Sequence, residues 1–381
     1  MPDFFATCPR GLEKLLSDEL SGLGATDVRS TDGGVAFAGD WPTCYRVNLQ
    51  SRLASRILWR IKEATYFRNE QDVYKIVYDL PWTRWFDVSH TLLVKVTAIR
   101  CPLKSLEFIT LKIKDAVCDK FRAEKNARPS VAKLDPDMRI HAFFEGEKFT
   151  LYLDTSGDAL YKRGVRIHTN IAPLRENLAA GILMMTGWKP GIPLLDPMCG
   201  AGTFLIEAAQ MSLNIQPGIA RNFAFEKLKY FESAKWNAMR EEAIAAQLPV
   251  SELPIYGSDL YGDALRAAHQ NLEEAGIRET VDLKQCNALE ASPPEKEGIL
   301  VANLPYGERM GDEDELGELY PQLGDVLKKR FGGWNAYLFT ADLRIAKLMR
   351  LTPSKRIPLY NGAIECRLFE YKIIAGSNRP K

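Results

Sequence analysis

Apolar residues recur along this chain in two rhythms. Over residues 4–60 they read strand, helix, strand, helix. Phe4–Thr7 suits a short strand, and Leu12, Leu15, Leu16, Leu20 and Leu23 fall at helical spacing over Gly11–Leu23. Gly33-Gly34 turns the chain into a strand at Val35–Phe37. Helical patterns follow at Trp41–Leu49 and Ser51–Ile57. A second α+β stretch covers 65–155. It opens at Val73–Val77 and is interrupted at Pro81-Trp82. Leu92–Ala98 alternates like a strand, and Leu106–Arg122 carries Ile109, Ile113, Ala116, Val117 and Phe121 along one stripe. Met138–Phe144 and Lys148–Leu153 read as a hairpin, and Gly157–Arg166 as a linker.

From residue 171 the rhythm changes. Strand-length apolar runs (Ile192–Leu195, Pro254–Gly257, Val281–Gln285, Gly298–Ala302, Ala336–Thr340) alternate with helical segments (Thr203–Leu213, Gly262–Ala275, Glu315–Phe331, Asp342–Met349). That alternation predicts an α/β, doubly wound, mostly parallel sheet. Arg356–Leu359 and Ile364–Ile373 read as a terminal antiparallel hairpin. Asn214–Val250 is helix-rich and aromatic and reads as an insertion.

Composition changes this picture little. Net charge is +1 and 46% of residues are apolar, so each unit can bury a core. Charge distribution says more: residues 95–133 hold ten basic and four acidic side chains, which makes a candidate anion-binding face. The seven cysteines and four histidines are scattered, so neither disulfides nor a metal site is expected. The start, MPDFFATCPRGLEKLL, is unlike a signal peptide, and no apolar run could span a bilayer. A soluble, cytoplasmic protein is expected.

Four loops carry candidate chemistry. In Leu194-Leu195-Asp196-Pro197-Met198-Cys199-Gly200-Ala201-Gly202-Thr203, a strand ends in an acid and a Gly-x-Gly turn opens a helix. Gly200 and Gly202 allow close backbone approach to a ligand. Leu205 stands where a dinucleotide fingerprint has its third glycine. Asp196 repels a pyrophosphate but suits a cation, which favours S-adenosyl-L-methionine over a nicotinamide cofactor. Asp259-Leu260, at the end of the next strand, supplies an acceptor for ribose hydroxyls. It lies 63 residues beyond Asp196, a gap lengthened by the aromatic insertion. Asp263 is the competing acid. After the third strand, Asn287-Ala288 offers an acceptor for an adenine amine. After the fourth comes Asn303-Leu304-Pro305-Tyr306. An amide oxygen and a peptide carbonyl there can accept both hydrogens of a conjugated amine and aim its lone pair. Pro305 stiffens the turn and Tyr306 stacks on the base. Such catalysis rests on positioning. Arg309 is a candidate RNA contact.

With these motifs in place, the chain resembles the bacterial 23S ribosomal RNA guanine-N2 methyltransferases of the RlmL family, in their amino-terminal half. The resemblance runs through Gly11–Leu16, Ser51–Ile57, Lys112–Ala116, Ile171–Ala180, Leu194–Thr203 and Asn303–Met310, with Gly332–Asn335 and Asn361-Gly362 near the end. It implies a ferredoxin-like domain over 1–64, an RNA-binding THUMP domain over 65–157, and a class I Rossmann-like methyltransferase domain over 158–381. The last would hold a seven-stranded, mostly parallel sheet. It also implies RNA contacts at Lys112 and Lys114, and Arg175 and Asn177 beside the cofactor. The implied partner is 23S ribosomal RNA or a large-subunit assembly intermediate. Family members often read Asn-Pro-Pro-Tyr, whereas Leu304 stands at the first proline here. Two other readings remain: an adenine-N6 methyltransferase on RNA or DNA, and a catalytically silent RNA-binding assembly factor.

Overall fold

The computed structural model describes residues 1–163, 174–305 and 313–374. The chain divides into two compact units. One comprises Met1–Cys8, Leu16–Leu160 and Arg221–Glu241; the other comprises Pro9–Leu15, Tyr161–Ala220 and Glu242–Lys381.

The first unit is organised on strands β1 (Asp3–Thr7), β2 (Thr26–Thr31), β3 (Gly34–Ala38), β4 (Arg56–Ala64), β5 (Leu92–Ile99), β6 (Met138–Glu145) and β7 (Lys148–Asp154). The helices along this stretch are α1 (Glu13–Gly22), α2 (Trp41–Gln50), α3 (Glu70–Tyr78), α4 (Trp82–Trp85) and α5 (Leu106–Lys125). The strands form one sheet in the order β2-β3-β1-β4-β7-β6-β5. What reads in sequence as two α+β stretches is therefore continuous, because β4 pairs with β1 on one side and β7 on the other.

The helix expected over Ser51–Ile57 is absent. Glu19 captures the segment instead: its carboxylate accepts from Ser51 Oγ at 2.5 Å and from the Arg52 N–H at 2.8 Å. Arg56 then opens β4, where Ile57 and Leu58 pair with Ala6 and Phe5. A ladder to a distant strand overrides the local helical pattern. At α5 local rules hold. The Ser105 hydroxyl caps its start by accepting from the Phe108 N–H, and Asn126 ends it in the left-handed region at φ 53°. Residues 221–241 of the aromatic insertion belong to this unit: Phe225 stacks on Tyr45 at 4.6 Å and Tyr230 on Trp41 at 5.9 Å.

Further elements of the chain are α6 (Glu176–Met185), β8 (Leu194–Asp196), α7 (Thr203–Ser212), α8 (Ser233–Ala245), β9 (Ile255–Asp259), α9 (Gly262–Glu274), β10 (Asp282–Gln285), β11 (Gly298–Asn303), α10 (Glu313–Arg330), β12 (Trp334–Thr340), α11 (Ile345–Leu348), β13 (Lys355–Asn361) and β14 (Ile364–Lys372). The second unit's sheet has the order β10-β9-β8-β11-β12-β14-β13. Strands β10 through β12 run parallel, and β14 runs antiparallel to both β12 and β13. Leu300, Ala302, Leu338 and Phe369 bury one face of this sheet with Leu323 and Leu327 of α10.

One glycine brings helix α7 onto this sheet. A Cβ at Gly257 would lie 2.3 Å from Leu205 Cδ1 and 2.7 Å from Leu283 Cδ2. Leu205 is fully buried and has nowhere to move. Gly257→Ala is expected to destabilise the protein by about 1–3 kcal/mol through overpacking. Urea unfolding checks this, and a variant as stable as the parent would contradict the close packing.

Candidate active site

The second unit's chain winds outward from β8 through β9 to β10, and in the opposite direction from β11 to β12. The order therefore reverses between β8 and β11. In open α/β sheets that reversal, at the carboxyl ends of the strands, opens the ligand crevice. Asp196 ends β8, Asp259 ends β9 and Asn303 ends β11, so all three stand at this edge.

The loop after β8 is held by backbone and side-chain bonds to neighbouring elements. Gly200 and Gly202 adopt φ of 54° and 82°, in the left-handed region that glycine enters freely. The Gly200 N–H donates to Asp259 Oδ2 at 2.9 Å, and the Cys199 N–H donates to the Ser258 carbonyl at 2.9 Å. From α9, Asn271 Nδ2 donates to the Ala201 carbonyl at 3.0 Å. Pro197 and Thr203 are buried beside the loop. Asp259 thus does more than the sequence suggests: one carboxylate oxygen shapes the glycine turn, and the other accepts the Tyr261 N–H at 3.0 Å. Asn271 carried no motif signal, since it does not lie in the loop it holds.

Asp196 is 2% exposed and Asp259 is 9% exposed. Burial pushes the Asp196 carboxyl well above its ordinary range, and the nearby Asp259 charge adds to that; the Met198 N–H, donating at 3.1 Å, opposes it. Neither acid has an ion-pair partner among the described residues. Two buried carboxylates without a cation make an electrostatic vacancy that a cationic ligand fills. Carboxylate oxygens also keep further acceptor positions after one backbone bond each. The residues present therefore suit a ligand that carries both positive charge and hydroxyls. Burial and the same two acids push the Cys199 thiol upward, which disqualifies it as a nucleophile.

The remaining rim positions divide. Leu260 is exposed, and its carbonyl accepts from Gln285 Nε2 at 3.1 Å. Asn287 Oδ1 accepts the Leu289 N–H at 2.9 Å, closing a local turn, and Ala288 is buried behind it. The Cys286 N–H donates to the Asp259 carbonyl and ties this turn to β9.

Asn303 is the most informative residue. Leu300 lies opposite Leu195 in the parallel β8–β11 pair. Asn303 therefore reaches two residues past the level of Asp196, roughly 7 Å further along a strand about 4.8 Å away. Its Oδ1 is buried and has no hydrogen-bond partner among the described residues. Leaving such an acceptor unpaired costs about 1–3 kcal/mol, so the arrangement awaits a donor. The Leu304 N–H donates to the Phe339 carbonyl at 3.0 Å, extending the ladder by a bond that proline could not make. Pro305 is half-buried. Tyr306 and Arg309 lie outside the described residues.

In the first unit, the two candidate RNA lysines differ. Lys114 is paired with Asp115 at 2.8 Å, whereas Lys112 Nζ sits over the Phe108 and Tyr74 rings at 5.4 and 5.8 Å. Two further cations of the basic stretch are paired locally, Lys120 with Glu124 and Arg122 with Asp119. Among the described residues no group of His, Cys, Asp and Glu could hold a metal ion, and no helix is long and apolar enough to cross a membrane.

Three family models match: an RlmL ferredoxin-like domain over 3–58, a THUMP domain over 67–154, and an RMKL-like methyltransferase domain over 163–370. The "Ribosomal RNA large subunit methyltransferase K/L" of Shewanella sp. (strain ANA-3) is 40% identical across the whole of this chain, which covers 54% of that protein. The chain thus spans about half the length of such relatives. Protein slr0064 of Synechocystis sp. (strain ATCC 27184 / PCC 6803 / Kazusa) is 38% identical, with 97% of this chain and 96% of that one covered. Among solved structures, SMU.472 complexed with SAH aligns with a TM-score of 0.89 at 29% identity, covering 100% of this chain and 99% of that one. With one model spanning more than half of the chain and one relative matched almost end to end, this chain belongs to the RMKL-like methyltransferases.

Proposed function

We propose that this chain transfers a methyl group from S-adenosyl-L-methionine to the exocyclic N2 amine of a guanine in 23S ribosomal RNA. The observation that carries the reading is the buried Asn303 Oδ1, without a hydrogen-bond partner among the described residues, at the crevice between β8 and β11. An exocyclic amine is the donor that fits it. By accepting one amine hydrogen, Asn303 draws the nitrogen towards sp³ geometry and turns its lone pair to the cofactor side. The catalytic contribution is fixed placement of a dipole rather than strong-base chemistry. Tyr306 and Pro305 are assigned to hold the flat base.

The cofactor assignment follows from the acids. S-adenosylmethionine brings a cationic methyl donor, an ammonium group and ribose hydroxyls. Asp196 answers the positive charge and Asp259 accepts from the ribose, beside a turn whose shape rests on the left-handed backbone of Gly200 and Gly202. Leu260, Asn287 and Ala288 are assigned to the adenine end. The SAH bound to SMU.472 supports this choice. The RNA target is supported by the THUMP match and by the names of the relatives. Lys112, free to leave its aromatic seat, is a better candidate RNA contact than the paired Lys114.

Asn303→Ala is expected to lower kcat by about 10²–10³, the usual cost of one positioned polar group, with cofactor affinity retained. Tritiated methyl transfer and cofactor titration check both parts; near-normal kcat would defeat the role. Ribosomal RNA transcripts carrying inosine in place of guanosine lack the N2 amine and should accept no methyl group. Transfer to them would favour the adenine-N6 reading.

Asp196→Asn should separate stability from function. The folded protein holds the Asp196 proton to higher pH than the unfolded chain does, so stability falls as pH rises through that interval. Removing the carboxyl should therefore raise the melting temperature of the ligand-free protein, by an amount that grows from about pH 4 upward. The same change should weaken S-adenosylmethionine binding by about 1.5–3 kcal/mol. Melting curves across pH, with and without cofactor, decide this. An Asn variant no more stable at neutral pH, or one that binds as tightly, would count against the charge argument.

A further inference from the structure

A second group of residues stands at the same sheet edge. Thr340, which ends β12, lies opposite Arg367 of β14. Asn361 and Ile364 close the β13–β14 turn three residues further on. The hairpin tip therefore rises roughly 10 Å above the level where the parallel strands end. It stands two to three strand spacings from Asn303, about 12 Å across the sheet. The hairpin is thus a wall on the β12 side of the crevice.

Two arginines flank this wall. Arg175 precedes α6, and a Cβ on Gly362 at the tip would lie 3.3 Å from its Nη2. Its guanidinium lies over the Tyr161 ring at 5.0 Å. Arg10 is exposed, and its guanidinium lies over the Tyr360 ring at 5.7 Å, beside the tip. Among the described residues neither arginine has a carboxylate partner. This contrasts with the first unit, where Lys114, Lys120 and Arg122 are each paired with an acid. A guanidinium resting on a ring is held in orientation while its N–H edge stays open, which suits two-point recognition of phosphate.

We infer that Arg10 and Arg175, each seated on a tyrosine beside the β13–β14 turn, take the backbone phosphates of the RNA strand that flanks the target nucleotide. This rests on the RNA-methyltransferase reading. The wall is too far from Asn303 to touch the target base, but it is placed for neighbouring nucleotides. Tyr161 and Tyr360 are half-buried supports for the cations.

The test is equilibrium binding of deproteinised 23S ribosomal RNA by the full chain, as a function of salt. Single-stranded contacts contribute about 0.7 each to the slope of log K against log salt. Arg10→Gln with Arg175→Gln should weaken binding and lower the slope by about 1.4. Arg10→Lys with Arg175→Lys should restore most of the slope. If the double Gln variant melts early, Arg10→Gln alone carries the same test with a slope change of about 0.7. An unchanged slope overturns the proposal, as does a loss confined to S-adenosylmethionine affinity, which would assign Arg175 to the cofactor. Failure of the underlying reading is recognised separately, by unaltered protein that transfers no methyl group to the RNA.

Discussion

The site depends on one unfavourable interaction. Asp196 and Asp259 are buried close enough to repel, at the ends of adjacent strands, and no described side chain offers either a positive charge. A fold concerned only with stability would replace one of them. Here the second acid is also built into the backbone, because Asp259 accepts the Gly200 N–H and so sets the shape of the glycine turn. Removing that carboxylate changes the loop's shape as well as its charge. The cost of burying two acids is what a cationic ligand recovers on binding.

Around this pair the edge is arranged in order of commitment. The glycine turn is tied down by Asp259, Ser258 and Asn271, and Asn287 spends its oxygen on its own turn. Asn303 keeps a buried acceptor without a partner among the described residues. A sheet can hold such an atom because neighbouring ladders, Asn303 opposite Phe339 and Leu304 bonded to it, fix the backbone on which it stands. The rigid part and the unsatisfied part are thus separate, as a site working through positioning requires. The hairpin wall with Arg10 and Arg175 adds longer-range electrostatics to the same edge.

Much of the second unit was legible because its signals are local. The Gly200–Gly202 turn, the acids that end β8 and β9, and Asn303 at the end of β11 each lie within a few residues of the apolar run that positions them. What escaped was non-local. Strand β2 is an almost fully exposed edge strand, so hydrophobic alternation could not mark it. The helix expected over Ser51–Ile57 overlaps the first two residues of strand β4, whose identity comes from ladders on both sides and from the grip of Glu19 on Ser51 and Arg52. The aromatic richness of the insertion was visible, but its stacking on Trp41 and Tyr45 was not. Likewise, the Asp259–Gly200 bond joins residues 59 apart, and no spacing rule announces it. Within the basic stretch at 95–133, the pairing of Lys114, Lys120 and Arg122 with acids of the same helix is set by side-chain geometry that a charge count does not show.

The central claim is that the Asn303 acceptor receives a guanine N2 amine. The most direct measurement is mass spectrometry of nucleosides from deproteinised 23S ribosomal RNA after incubation with the protein and isotopically labelled S-adenosylmethionine. The account predicts label in N2-methylguanosine. Label in N6-methyladenosine, or in no nucleoside at all, would contradict it.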